Sequence, residues 1–75
     1  MPRYKHIGQQ IKLMRMILGW EQEEVACFLG ITKQYLSMVE NGHRRLSIGK
    51  VKELSVEAHI DIKSIAQMYL TEVKQ

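Results

Sequence analysis

The stretch QEEVACFLG (residues 22–30), followed by ITKQYLSMVENG (residues 31–42), decides how this chain is read. Glu23 and Glu24, with Glu21 just ahead of them, open a short periodic segment whose apolar members are Val25, Ala26 and Leu29. Carboxylates there suit the positive end of a helix dipole. Gly30 ends the segment as a C-terminal glycine does. Thr32 is an N-cap for KQYLSMVEN, in which Leu36 and Val39 stand three apart before Asn41-Gly42 closes the run. The stretch predicts two short helices, about 22–41, joined by a tight turn containing glycine. The small side chain of Ala26 lets the two helices cross closely, and Ile31 is the apolar plug under the turn.

On the N-terminal side, Ile7, Ile11, Met14, Ile17 and Leu18 recur at steps of three and four, the spacing of one helix face, and Gly19 is expected to end that helix. On the C-terminal side, Ser47 caps a fourth helix with Val51, Leu54 and Ala58 as its buried stripe, joined by Ile48 and Ser55. Gly49 weakens its first turn. Asp61 caps a last helix over about 61–71 carrying Ile62, Ile65, Ala66, Met68, Tyr69 and Leu70, with TEVKQ (residues 71–75) expected to fray. The fold class is all-α, five short helices with no convincing strand and no internal repeat, and residues 1–75 are expected to form one domain.

Composition agrees with a folded domain, since 45% of the 75 residues are hydrophobic and 25% charged, which excludes a disordered tail. No apolar run reaches the length of a membrane span, and the basic start lacks the apolar core of a signal peptide, so a cytoplasmic location and no membrane partner are expected. Eleven Lys and Arg against eight Asp and Glu give a net charge of +3, which decides little by its total. Its distribution says more. Arg3, Lys5, Lys12 and Arg15 stand among the first 20 residues without an acid, Glu21, Glu23 and Glu24 follow, and Lys33, Arg44, Arg45, Lys50 and Lys52 then outnumber Glu40.

Two helices joined by a short glycine-containing turn describe the helix-turn-helix, whose second helix enters the DNA major groove. The chain resembles the helix-turn-helix repressors of the Cro and phage-repressor type, the Xre-like family, from about Ile7 to Ile65. The resemblance rests on Ile11, Met14 and Arg15; on Gly19, Gln22-Glu23-Glu24-Val25-Ala26 and Leu29-Gly30-Ile31-Thr32; on Leu36-Ser37, Val39-Glu40 and Gly42; and on Ile60-Asp61-Ile62 with Ile65. It implies a compact, lambda-repressor-like five-helix domain and a sequence-specific transcriptional regulator that binds double-stranded DNA. Its small size is similar to that of phage repressors and of the controller proteins of restriction-modification systems.

The resemblance also implies roles. Lys33, Gln34, Ser37 and Met38 match the exposed positions of the recognition helix that reach base edges; Lys suits guanine and Gln adenine, while Met38 suits a thymine methyl. Gln22 matches a glutamine that hydrogen-bonds a phosphate, and Tyr35, Asn41, His43, Arg44 and Arg45 are expected along the DNA backbone. Arg15 and Glu40 match a structural ion pair. This loop reads HRRLS where the family often has a proline before the serine, Cys27 and Phe28 fall at positions commonly polar and exposed, and Ser55 and Ala58 stand where larger core residues are often found.

Met68, Tyr69 and Leu70 in succession cannot all face inward, so a homodimer built on helix five is expected, with Ile62, Ile65, Met68 and Tyr69 at its interface. Two recognition helices one DNA turn apart would read a palindrome. His6, His43, His59 and the lone Cys27 lack metal-ligand spacing, and no catalytic constellation is present, so neither a metal, a cofactor nor an enzyme is expected. The alternative reading is a protein-interaction module of the same fold, such as an antitoxin or bridging factor, which an exposed Phe28 would favour.

Overall fold

A computed structural model describes residues 2–73 of the chain. Within them run five helices, α1 (Lys5–Leu18), α2 (Gln22–Leu29), α3 (Lys33–Glu40), α4 (Ile48–Glu57) and α5 (Lys63–Val73), and no strand. α1 packs against α3, α4 and α5, and α2 packs against α3 and α4. The architecture is the all-α, five-helix helix-turn-helix fold anticipated from the apolar periodicity.

Helix ends follow local chemistry. Gly19 and Gly30 close α1 and α2 with φ of 70°, the left-handed conformation that a Cβ disfavours. Thr32 Oγ1 accepts from Tyr35 N at 3.0 Å to start α3, Ser47 Oγ from Lys50 N to start α4, and Asp61 Oδ1 from Lys63 N at 2.9 Å ahead of α5. α4 ends differently. His59 takes a left-handed φ of 58° while Ile60 N donates back to Ser55 O at 2.8 Å.

The core joins Ile7, Ile11 and Met14 of α1, Val25, Ala26 and Leu29 of α2, Leu36 and Val39 of α3, Leu46 of the following loop, Val51 and Leu54 of α4, Ala58, and Ile65 and Tyr69 of α5. Gly8 sits where α1 lies against the end of α3, and a Cβ there would meet the carbonyl oxygens of Val39 and Glu40. Ser55 is fully buried, and its hydroxyl donates to Lys52 O at 2.8 Å, so a polar group in the core is satisfied within its own helix.

Several expectations need correction. Ile17 and Ile48 are 56% and 44% exposed rather than part of the buried stripes. Residues 71–73 continue α5 instead of fraying; residues 74 and 75, which complete the expected frayed tail, lie outside the described residues. The cause is Glu72. α1 has no acidic residue in its first turn and no side-chain cap, and Glu72 supplies both functions from the far end of the chain. Its carboxylate accepts from His6 N at 2.8 Å and Ile7 N at 2.7 Å, with His6 Nδ1 at 2.9 Å.

Of the four residues expected between two copies, Ile65 and Tyr69 are instead spent on the core, because their i, i+4 spacing aims both inward. Ile62 and Met68 are half-buried against that core, and Leu70 is the member of the 68–70 run left exposed.

Candidate nucleic-acid interface

Gly30 reverses the chain between α2 and α3, with Ile31 N donating to Ala26 O at 2.9 Å, and the half-buried Ile31 packs against the core beneath the turn. Ala26 is 3% exposed on the flank of α2 that meets α3. The inner row of α3, Leu36 and Val39, is fully buried, which fixes the rotation of the helix about its axis.

That rotation sets the outer face. Lys33, Ser37 and Asn41 follow one another at intervals of four, and Gln34 and Met38 form the adjacent row. Lys33, Gln34 and Asn41 are exposed, and Ser37 and Met38 half-buried. Lys33 Nζ stands 3.7 Å from Glu23 Oε1, an exposed pairing that binds it only weakly. Asn41 Nδ2 donates to Ser37 O at 2.9 Å, closing the end of the helix.

Behind this face, Glu40 ties three helices together. Its carboxylate accepts from Arg15 Nε at 2.7 Å and Arg15 Nη2 at 3.3 Å, while Arg15 Nη1 donates to Trp20 O at 3.1 Å. Gln22 Nε2 donates to the same carboxylate at 3.0 Å. Gln22, assigned to a phosphate by the resemblance, therefore has one amide hydrogen already engaged; its carbonyl and second hydrogen remain at the start of α2.

The loop after α3 is held at three points. Leu46 is buried, Tyr35 Oη donates to Arg45 O at 2.6 Å, and Tyr4 N donates to Gly42 O at 3.0 Å. Gly42, at φ 83°, lies so close to the N-terminal segment that a Cβ would come within 2.8 Å of Pro2 Cβ and 2.9 Å of Lys5 Cα. Tyr35 thus acts first as a strut for the loop, and the phosphate bond expected from its hydroxyl proton competes with Arg45 O. His43, Arg44 and Arg45 project into solvent, with Arg44 Nη1 donating to His43 O at 3.1 Å.

His43, Arg44 and Arg45 line a concave cleft together with Tyr4, Tyr35, Ser47 and Lys50. Tyr4 and Lys50 escaped the sequence reading. The only signal for Tyr4 was its place between Arg3 and Lys5, and Lys50 showed only as one cation of the second basic block, its bond to Leu29 O, 2.6 Å away at the end of α2, leaving no pattern. No group of His, Cys, Asp and Glu able to hold a metal occurs among the described residues.

The chain is also similar to known proteins in sequence. The helix-turn-helix family model matches residues 11–63. Two relatives, uncharacterized HTH-type transcriptional regulators of Sinorhizobium medicae (strain WSM419) and Rhizobium meliloti (strain 1021), are each 36% identical over 50 residues. The match covers 67% of this chain but spans only 36% of each relative. No solved structure matches the chain. The matched residues contain α2, its turn and α3 entire, and on that ground the chain belongs to the helix-turn-helix family of the Cro and phage-repressor, Xre-like type.

Proposed function

We propose that this chain is a sequence-specific, DNA-binding transcriptional regulator, acting through residues 1–75 as one helix-turn-helix unit that lays α3 in the major groove. The observation that carries the reading is the outer face of α3. Lys33, Gln34, Ser37 and Met38 stand together on a helix whose opposite face is locked by Leu36, Val39 and the Glu40 cluster. Side chains on a rigid helix reach base edges with a defined register, and the first pair carries the donors that read purines. Arg44 and Arg45, with His43 and Asn41, follow the phosphates beside it, where a pinned loop holds cations at fixed positions. Gln22 and Tyr35 complete the backbone contacts with the polar capacity their internal bonds leave over.

A homodimer on a palindromic operator completes the reading, because one helix covers few base pairs and two spaced by about 34 Å cover successive major grooves. Ile62, just ahead of α5, and Met68 and Leu70 on it are the side chains left for the second copy. The regulator needs no cofactor or metal and performs no covalent chemistry in this reading, and it works in the cytoplasm, where its DNA is. No helix among the described residues is long and apolar enough to cross a membrane.

Selection of bound sites from random DNA tests the proposal directly. A palindrome with half-sites one turn apart is the expected result. Enrichment of no sequence would overturn specific binding, and a single unrepeated half-site would overturn the dimer.

A further inference from the structure

A second surface lies between α2 and α4, away from the flank of α2 that meets α3. Trp20, half-buried at the end of the α1–α2 turn, meets Phe28 edge-to-face with ring centroids 5.5 Å apart. Phe28 is nevertheless 39% exposed, and beyond it the surface dips into a groove reaching Val56, which is 62% exposed. Gly49 lies in this groove, with open space where a Cβ would stand. Apolar surface left open beside such a pair marks an interaction site.

Charge decides what fits it. Glu23 and Glu24 line the Trp20 side of the strip and Glu53 and Glu57 the Val56 side, against Lys52 in the groove and Lys33, which stands 3.7 Å from Glu23, so the carboxylates outnumber the cations. Such a rim repels nucleic acid and an anionic membrane alike. It matches a helix that carries aliphatic anchors on one face and Lys or Arg along both flanks, the helix-in-groove mode of recognition. We propose that the Trp20–Phe28–Val56 groove docks a basic amphipathic helix of a protein partner, so that the chain has a protein-binding face separate from α3. The proposal holds whether or not α3 reads DNA.

The single tryptophan of the chain, Trp20, reports on this groove. Titrating the full chain with a synthetic Leu/Lys amphipathic helix should shift Trp20 emission to the blue, saturably and less strongly as salt rises. A Leu/Glu helix of the same apolar pattern should not. Phe28→Ser and Val56→Ser remove exposed apolar contacts and should each weaken peptide binding roughly tenfold, about the worth of one buried side chain. Gly49→Leu fills the groove at a helical position with free space, so it folds at least as well and should block the peptide. Site-specific DNA binding should stay unchanged in all three. Equal binding of the Leu/Glu helix, or undiminished binding by Gly49→Leu, would overturn the proposal. So would a Phe28→Ser variant whose sedimentation differs from that of the parent without peptide, because the occupant would then be a second copy of this chain.

Discussion

Gly8 and Glu40 show how much of this fold rests on single residues. At Gly8 the backbones of α1 and α3 come close enough that a methyl group would strike two carbonyl oxygens, and neither can move without shifting α3. Gly8→Ala is therefore expected to cost about 1–3 kcal/mol, the usual scale of overpacking, despite its better helix propensity. Urea unfolding measures this, and a stabilised variant would show that α1 and α3 can separate. Glu40 is 7% exposed and satisfied by Arg15 and Gln22. Arg15→Ala leaves that carboxylate with Gln22 alone, so a loss of about 3 kcal/mol is expected. Unchanged thermal stability with impaired DNA binding would instead place Arg15 among the DNA contacts. The apolar positions of α3 could be read from their spacing, and the Arg15–Glu40 pairing from the family resemblance. The bond from Gln22 to Glu40 could not, because an amide at a helix start looks the same in sequence whether it faces solvent or a carboxylate.

Among elements, α2 and α3 were legible almost to the residue because each carries its own stop and start signals, Gly30 and Thr32. The helix faces were less so. Ile17 and Ile48 fit the apolar rhythm of their helices yet point to water, since periodicity marks a stripe and not its width. The end of α5 was misjudged for another reason: its order comes from Glu72 meeting α1, a contact between residues 66 apart that leaves no local pattern. α4 offers an element-scale test. His59 holds a left-handed φ where a Cβ is strained, at a cost of roughly 1–2 kcal/mol. His59→Gly is expected to stabilise the chain by about 0.5–1 kcal/mol once the added freedom of the unfolded glycine is subtracted. Differential scanning calorimetry reads this as a rise in Tm, and a fall would mean that the His59 side chain contributes more than its strain costs.

For the whole molecule, charge is partitioned by surface. The basic loop flanks α3, while the α2–α4 groove is acid-rimmed, so a net charge of +3 conceals two faces of opposite character. Replacing Arg44 and Arg45 by Ala should lower affinity for specific and nonspecific DNA alike and flatten the dependence of log K on log salt, by about one unit per lost phosphate contact. Fluorescence anisotropy at several salt concentrations measures the slope, and an unchanged slope removes both arginines from the interface. The capping of α1 by Glu72 has a consequence for how the chain is made. A ribosome delivers α1 well before Glu72, 66 residues downstream of His6, so until Glu72 emerges the His6 and Ile7 amides have only water as partner. Tyr4, whose N–H holds Gly42 O, sits directly ahead of that helix start, so a nascent chain carries α3 before the helix behind the arginine loop is capped.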